Sequence, residues 1–295
     1  MELTLFLGDY AYSSWSLRGW LLLDAFGIKF VSRTAHMRTK AFEALQDEMA
    51  PSRTVPALRV TDGAASPYLV WDSIAMAETL AELYPDAGLW PADPARRAIA
   101  RSLTAEMHSG FQALRGACPM NMRRAYEGFE VTPEISTDLA RLSLIWAHAR
   151  KVSGEGPFLC GGFSAADAFF APVASRIATY GLPMDGADAD YVATLLGHPS
   201  VRRWRALGMV DGHLQKHYEF DFADRPNPHD PAITGPVVPG LQAENADCPY
   251  SGKPVHPDCV IQVGQRAIGY CNPGCAAKSA ADPMAWPQTA ALLDG

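Results

Sequence analysis

Hydrophobic and polar positions alternate with two different periods along the first 85 residues. Short apolar runs predict strands at residues 3–7, 29–32, 55–60 and 68–71. Apolar residues spaced three and four apart predict helices at residues 16–26 and 72–83. The last two strands are joined across a Thr-Asp-Gly-Ala-Ala-Ser-Pro turn, which predicts a hairpin. This order of elements predicts an α/β domain over residues 1–85.

The rest of the chain divides into a helical region, a connector and a tail. Residues 94–217 show no competing strand pattern, and their apolar spacing predicts helices at 94–111, 133–151, 164–180, 188–196 and 200–217. Prolines concentrated in 85–94 and again in 225–241 indicate a linker before this region and an extended connector after it. The predicted organisation is an α/β domain at 1–85, an all-α domain at 94–217, a Pro-rich connector at 225–246 and a small Cys-containing module at 247–295.

Composition and charge exclude several classes of protein. The chain has 295 residues and a formal net charge of −7, and this acidic balance does not favour a nucleic-acid partner. No apolar run reaches the length of a membrane-spanning helix, and the N-terminus lacks the basic and apolar segments of a secretory signal. We therefore expect a cytoplasmic protein without a membrane partner, whose cysteines stay reduced.

The most informative segment lies at residues 53–80, where Arg-Thr-Val-Pro-Ala-Leu is followed by a strand and then by Trp-Asp-Ser-Ile-Ala-Met. Pro56 stands at the predicted start of a strand, where a missing N–H is tolerated, and we expect the Val55–Pro56 bond to be cis. Asp72 and Ser73 open the next helix, and a helix N-terminus offers unpaired N–H groups to a carboxylate. A backbone site at Val55 and a carboxylate site at the helix start together indicate a receptor for a small acidic peptide.

This arrangement resembles the glutathione transferase superfamily, in which a thioredoxin-like domain binds glutathione with these two devices. The segment Tyr-Ser-Ser-Trp-Ser-Leu-Arg after the first strand is similar to the turn that carries the superfamily's activating residue, and the resemblance maps that role to Ser13 and a following arginine to Arg18. Gly-Gly-Phe-Ser-Ala-Ala-Asp at 161–167 resembles the capping box of the superfamily's helical domain. The resemblance covers roughly residues 1–215 and implies a thioredoxin-like domain followed by an all-α domain.

The resemblance implies a homodimeric serine-type glutathione transferase that activates the thiol of glutathione for reaction with a small electrophile. A glutathione-dependent isomerase is a close variant. A hydroxyl that donates to sulfur favours the thiolate, because the pKa of a free thiol is about 8.5. Ser13 is the first candidate for this hydroxyl, and Tyr12 and Ser14 are alternatives because a shift of one residue changes which side chain points inward. In a purely structural alternative the turn only caps the first helix, a role that suits Ser14 and Ser16.

The resemblance also implies the residues that bind glutathione. Arg53 stands near a position where a Lys or Gln of the superfamily contacts the glycine carboxylate, and it carries the charge that Thr54 cannot supply. Asp72 stands where many members have Glu, and its side chain is shorter by one methylene. The expected glutathione-binding residues are Arg53, Val55, Pro56, Asp72 and Ser73.

The tail at 247–295 holds four of the six cysteines. It resembles small treble-clef-like metal-binding modules and YHS-type heavy-metal-associated domains, but it has no Cys-x-x-Cys pair. A segment this short forms little core, so it needs a metal or a neighbour to dock on. The candidate zinc ligands are Cys248, Cys259, Cys271 and Cys275, with His256 as a substitute for Cys259. The alternative is a metal-free hairpin and helix packed on the helical domain.

Three functions are therefore open. The first is a glutathione transferase. The second is a non-catalytic transferase-like adaptor whose surface serves a protein partner. The third is a metal- or redox-responsive protein that acts through its Cys-rich tail.

Overall fold

The computed structural model describes residues 1–63 and 65–294. Strands β1–β6 span Glu2–Leu7, Val31–Thr34, Ala57–Thr61, Tyr68–Trp71, Val260–Val263 and Arg266–Gly269. Helices α1–α11 span Ser14–Asp24, Lys40–Glu48, Ser73–Leu83, Pro94–Ser109, Gln112–Ala117, Pro133–Ser153, Ala165–Tyr180, Gly186–Gly197, Pro199–Val210, Pro273–Ala281 and Pro287–Asp294. Within these ranges, none of the helices combines the length and the apolar character needed to cross a bilayer.

The N-terminal domain is a mixed sheet with helices on both faces. The strand order is β2-β1-β3-β4, in which β2 is parallel to β1 and the other neighbours are antiparallel. Leu3, Leu5 and Leu7 of β1 join the main core with α1 and α3, whereas Phe6 joins a second core with Leu45 of α2. This alternation follows from the two-residue period of a strand. The β-α-β-α-β-β-α order is the thioredoxin-like domain that the sequence predicted, with one helix added.

The added helix, α2, lies in a stretch for which the sequence analysis predicted no element. Thr39 caps it by accepting a hydrogen bond from the N–H of Phe42 at 3.2 Å, and Leu45 is its buried side chain. A single buried position gives a weak periodic signal. Strand β3 also begins later than predicted, at Ala57, so Val55 and Pro56 lie just before the strand.

The helical domain is organised around α7, in which every residue is buried. Ser164 caps α7, and Asp167 Oδ2 accepts from both the N–H and the hydroxyl of Ser164 at 2.9 Å. The capping box predicted from the sequence is therefore confirmed. Helix α5 was not predicted, because its six residues are too short to show a period.

Helix α9 ends at Val210, seven residues before its predicted end. Asp211 leaves helical geometry, and its Oδ1 lies 2.8 Å from His36 Nε2 of the N-terminal domain. Residues 211–225, which we call the return segment, then pass back over that domain. Within it, Gln215 donates to the carbonyl of Met37 at 2.8 Å. Tertiary contacts to the N-terminal domain thus replace the last turns of the predicted helix.

The C-terminal tail consists of the β5–β6 hairpin with α10 and α11, and it docks on α9. Arg202 makes two hydrogen bonds to the carboxylate of Asp282, at 2.9 and 2.6 Å. Ala206 packs beside Ala285 and Trp286. The tail is therefore held against the helical domain, as the alternative reading of the tail expected.

The stability of the fold should depend on pH through the carboxyl group of Asp167. Burial raises the pKa of Asp167 to about 6, although hydrogen bonds from Ser164, Tyr191 and Leu159 oppose the shift. In the unfolded chain the group has its usual pKa of 3.8. Between these two values the folded state binds more protons, so its stability falls as the pH rises.

We expect the Asp167→Asn variant to lack this decline. The difference in the free energy of unfolding between the variant and the unsubstituted protein should increase by up to about 3 kcal/mol between about pH 4 and pH 6. Above that range the difference should stay constant. Urea unfolding at several pH values measures this difference. The lost hydrogen bonds of the variant lower its stability by a constant amount and do not change the slope. A difference that is independent of pH would contradict the assignment.

Candidate functional site

The turn between β1 and α1 is closed by serine hydroxyls. Ser13 is the N-cap of α1, and its Oγ accepts from the N–H of Ser16 at 3.2 Å. The same hydroxyl donates to Ser16 Oγ at 2.8 Å, which in turn accepts from the N–H of Gly8 at 2.9 Å. The cap is therefore Ser13, and not Ser14 or Ser16 as the structural alternative supposed. Ser13 stands at the positive end of the helix with its hydroxyl held in place.

The two alternative hydroxyls have different surroundings. Tyr12 donates to Glu219 Oε1 at 2.5 Å, and Arg123 Nη1 donates to the Tyr12 oxygen at 3.2 Å. Burial and this carboxylate raise the pKa of Tyr12. Ser14 is half-buried, and its Oγ lies 3.5 Å from Arg176 Nη2. Tyr12 is thus bound to the return segment, whereas both serines remain candidates.

A cavity of about 300 Å³ opens beside this turn, between the two domains. Its wall includes side chains from the turn, α5, α7 and the return segment, among them Ser13, Ser14, Trp15, Arg115, Arg176 and Tyr218. Among the described residues, none that lines this cavity is acidic. The cavity therefore joins two serine hydroxyls to two guanidinium groups.

The Val55–Pro56 peptide bond is cis, and so is Ala50–Pro51. Pro56 packs directly on α1, since a Cβ added at Gly19 would lie 2.6 Å from Pro56 Cβ. In the described part of the chain, neither the N–H nor the C=O of Val55 has a hydrogen-bond partner. Val55 therefore presents two unpaired backbone groups of the kind that an extended peptide can bind.

Asp72 and Ser73 form the start of α3 as predicted. Asp72 Oδ1 caps the helix by accepting from the N–H of Ile74 at 2.8 Å, and its backbone has a φ of 75°. A positive φ in a residue other than glycine is strained, and such strain is typical of binding sites. Ser73 is buried, and its hydroxyl has no partner among residues 1–63 and 65–294.

A histidine that the sequence analysis did not assign lies against this carboxylate. His108 Nε2 is 3.3 Å from Asp72 Oδ2. Burial lowers the pKa of His108, although Asp72 opposes the shift. His108 and Asp72 are 36 positions apart in the sequence, and no local pattern links them. Arg53, which the sequence analysis did assign, is exposed, and Gln46 donates to its carbonyl at 2.7 Å.

Three arginines cluster behind the serine turn. Arg18 is fully buried, with its guanidinium 4.3 Å from the Trp15 ring and 5.1 Å from the Phe169 ring. Burial, together with the charges of Arg176 and Arg115, lowers the pKa of Arg18. In the described ranges, Arg18 Nε and Nη1 have no hydrogen-bond partner.

The sequence analysis identified Arg18 and missed the other two arginines. Arg176 was detectable, because it is the one charged residue in Phe-Phe-Ala-Pro-Val-Ala-Ser-Arg-Ile-Ala-Thr-Tyr, an otherwise uncharged run. A lone charge in a buried helix indicates a specific partner or a function. Arg115 carries no such signal, because it lies in a short helix beside small residues.

The tail brings three of the four predicted ligand cysteines together. The Sγ atoms of Cys248, Cys271 and Cys275 all lie within 4.8 Å of one another. Cys259 is not part of this group and instead packs in the hydrophobic core of the tail. His256 is also outside the group. The expected set of four ligands is thus reduced to three.

Hydrogen bonds favour the thiolate of Cys248, whereas burial raises the pKa of Cys275. Burial raises the pKa of Cys248, but hydrogen bonds from Cys271, Tyr250 and Ser251 outweigh it and lower the value to about 7. Lys278 Nζ lies 3.9 Å from the Tyr250 ring centre and 4.0 Å from that of Trp286. Burial lowers the pKa of Lys278, and the thiolates of Cys275 and Cys248 oppose that shift.

Comparison with known proteins identifies the N-terminal domain. Residues 12–83, which include Ser13, Val55, Pro56, Asp72 and Ser73, match the family described as glutathione S-transferase, N-terminal domain. The N-terminal domain belongs to the glutathione S-transferase superfamily. The serine turn, the Val55–Pro56 segment and the start of α3 all lie within the residues that match this family.

Proteins similar to this chain include a probable maleylacetoacetate isomerase of Caenorhabditis elegans. The two are 33% identical over 108 residues, which are 37% of this chain and 48% of the relative. The match thus spans about half the length of that curated relative. A glutathione transferase homolog of Burkholderia gl BGR1, solved with bound glutathione, is 25% identical with a TM-score of 0.51 and covers 69% of this chain and 96% of its own.

A glutathione transferase Omega 1C of Trametes versicolor shows the same fold at lower identity. It is 18% identical with a TM-score of 0.55, over 70% of this chain and 93% of its own. These structural matches cover about seven-tenths of the chain.

The buried arginines give a stability prediction for this site. We expect the free energy of unfolding of Arg18→Met to equal or exceed that of the unsubstituted protein. The substitution removes a buried charge whose Nε and Nη1 have no hydrogen-bond partner among the described residues. Arg176→Met is the matched comparison. It should lower the free energy of unfolding by about 1–3 kcal/mol, since Arg176 donates to the carbonyls of Cys118 at 2.7 Å and Pro172 at 3.1 Å. Chemical denaturation measures both, and a large loss in Arg18→Met would show that Arg18 is paired within the fold.

Proposed function

We propose that the protein is a glutathione transferase, which activates the thiol of glutathione for addition to, or substitution on, a small electrophile. The observation that carries this proposal is the arrangement around α1. Ser13 caps this helix. Gly19 packs on Pro56, next to the unpaired backbone groups of Val55. The negative charge of Asp72 acts on Arg18 of the same helix and raises its pKa, against the larger effect of burial. One helix thus connects the thiol-activating turn, the peptide-binding backbone and the carboxylate-binding helix start.

Each part of glutathione has a partner in this proposal. Val55 pairs with the backbone of the cysteinyl residue. The N-terminus of α3 and the unpartnered hydroxyl of Ser73 bind the γ-glutamyl carboxylate, and Asp72 accepts from the ammonium group. Arg53, which is exposed, binds the glycine carboxylate.

The electrostatics of the cavity favour the thiolate. Ser13 donates a hydrogen bond to sulfur after its proton turns away from Ser16. Arg176 lies 3.5 Å from the neighbouring Ser14 hydroxyl. A positive charge and a hydroxyl donor both lower the pKa of a thiol. The same site serves a glutathione-dependent isomerase, in which the thiolate adds and then leaves, and the isomerase relative supports this variant.

We also propose that the transferase is a cytoplasmic homodimer with domain limits near 85 and 217. Glutathione and reduced cysteines occur together in that compartment.

The support for a dimer is an exposed edge of the sheet. Tyr68 and Trp71 on the edge strand β4 are about half exposed, and exposed aromatic residues on an edge indicate a contact surface. Light scattering coupled to size exclusion measures the mass directly.

The decisive experiment combines retention on immobilised glutathione with turnover of chlorodinitrobenzene. Retention with turnover supports the transferase. Retention without turnover favours the adaptor, and absence of both counts against any glutathione function.

We expect Ser13→Ala to reduce turnover by about tenfold or more, because it removes a charge-assisted hydrogen bond to sulfur. The apparent pKa of bound glutathione should rise, while glutathione affinity should change less. The lost cap should also lower the free energy of unfolding by about 1 kcal/mol. Stopped-flow titration of the thiolate absorbance measures the pKa.

Two matched variants accompany this test. Ser13→Thr keeps both the hydroxyl and the cap, so it should restore most of the rate and the stability. Ser14→Ala removes a neighbouring hydroxyl that does not cap α1. If Ser13→Ala leaves the rate and thiol pKa unchanged while Ser14→Ala alters them, the activating residue is Ser14.

The tail supports a second proposal, that Cys248, Cys271 and Cys275 hold a zinc ion. Thiolates around tetrahedral zinc lie roughly 3.7 Å apart, given Zn–S distances of about 2.3 Å, and the three sulfur atoms approach this arrangement. Lys278 nearby offsets part of the negative charge of three thiolates. The fourth position is then filled by water or another exogenous ligand. This site would make the tail the metal-responsive part of the protein.

We expect close to one equivalent of zinc in freshly purified protein from zinc-supplemented medium. Cys271→Ser should abolish the metal, because it removes one of three convergent thiolates. Cys259→Ala is the matched control and should retain it, since Cys259 lies outside the group. Elemental analysis measures the content. Less than about a tenth of an equivalent would show that the three cysteines only pack in a docked tail.

A further inference from the structure

We propose that the electrophile of this transferase carries a carboxylate, which Arg115 and Arg176 bind in the cavity beside Ser13. This inference rests on the proposed transferase function and names the chemical class of its second substrate.

The first support is the composition of the cavity wall. Arg115 and Arg176 both line it, and the described lining residues include no acidic side chain. Neither arginine makes an ion pair in residues 1–63 and 65–294, although the surface arginines Arg101 and Arg141 both do. In a chain with a net charge of −7, two unpaired cations in one cavity indicate an anionic ligand.

The second support is the concentration of positive charge. Arg18 and Arg115 lie on the same Trp15 ring, with their guanidinium carbons 4.3 and 5.2 Å from its centre. Burial and the charge of Arg115 lower the pKa of Arg176 to about 10, and burial lowers that of Arg115. Like charges in a poorly solvated place destabilise the fold unless an anion joins them. A bound carboxylate would supply that anion.

The third support is the orientation of the two guanidinium groups. Arg176 is held by the carbonyls of Cys118 and Pro172 through Nε and Nη1, so its Nη2 remains toward the Ser14 hydroxyl at 3.5 Å. Arg115 Nη1 donates to the carbonyls of His108 and Gly110 at 3.2 Å. Both groups are therefore fixed before a ligand binds, which is the arrangement that favours recognition of a planar carboxylate.

The carboxylates of glutathione do not account for this charge. The groups proposed to bind them are Arg53, Ser73 and the N-terminus of α3, and none of these lines the cavity. Trp15 and His108 stand between the two regions, with ring centres 5.0 Å apart, and His108 contacts Asp72 on the glutathione side. Ser13 and Ser14 do line the cavity, so the sulfur would meet the second substrate there.

The test compares two ligands that differ only in charge, a chloronitrobenzoate and the corresponding chloronitrobenzamide. Binding of each to the protein is measured by calorimetry in the presence of saturating S-methylglutathione, which occupies the glutathione site without reacting. We expect the benzoate to bind at least about tenfold more tightly than the amide, as for a charge-assisted hydrogen bond. Equal affinities for the two ligands would overturn the proposal.

Variants of Arg115 assign the effect to the cavity. Arg115→Gln should remove most of the preference for the benzoate, and Arg115→Lys should retain part of it. Arg141→Gln changes the net charge equally at an exposed ion pair with Glu106, so it should leave the preference intact. A preference that survives in Arg115→Gln, or falls equally in Arg141→Gln, would overturn the assignment.

Two outcomes separate this inference from the transferase function itself. If S-methylglutathione displaces the benzoate, the arginines belong to the glutathione site and the inference is wrong while the function stands. If S-methylglutathione does not bind at all, the transferase proposal fails. The comparison of benzoate with benzamide is then made without it and still decides whether the cavity binds carboxylates.

Discussion

The close contact between α1 and Pro56 is the constraint on which the site depends. Gly19 has no side chain, and this lets the helix approach the proline to a distance that a Cβ would prevent. The contact sets the height of α1 above the sheet and therefore the position of Ser13 at its N-terminus. The residue preceding Gly19 on the same helix, Arg18, contacts Phe169 of α7. A single helix thus aligns the sheet, the serine turn and the helical domain.

Positive charge is concentrated where the two domains meet, at a cost to stability. Burial lowers the pKa of Arg18, Arg115 and Arg176, and repulsion between the guanidinium groups adds to this shift for Arg18 and Arg176. Core positions normally exclude unpaired charge. Retaining three guanidinium groups there is physically reasonable if a ligand supplies the missing negative charge. Ser73 at the start of α3 is a comparable case, because its buried hydroxyl has no partner among the described residues and a ligand would supply one.

The C-terminal tail is stabilised by its own small core and by docking on α9. Its hairpin and two short helices have a small core of their own, and they gain support from the Arg202–Asp282 pair and the contacts of Trp286 with α9. The three cysteine sulfurs lie on this module, not at the cavity. The proposed metal site in the tail and the proposed glutathione site can therefore be tested independently.

The local sequence pattern was sufficient to predict most of the secondary structure and the cis bond between Val55 and Pro56. The capping box of Ser164 and Asp167, the hairpin at β3–β4 and the helix start at Asp72 depend on neighbours within a few residues, so the sequence alone predicted them. Helix α2 and the early end of α9 were missed, because a narrow apolar stripe gives little periodicity and because Asp211 leaves the helix to contact His36.

Tertiary structure decided the chemistry of the site. Arg115 and Arg176 lie on different helices and meet Ser14 only when the two domains pack together. Cys259 is also a cysteine of the tail, yet its sulfur is not part of the group that Cys248, Cys271 and Cys275 form. Residue types and spacing along the chain predict which groups are present. Which of them converge depends on packing between distant segments, and a local pattern carries no information about that packing.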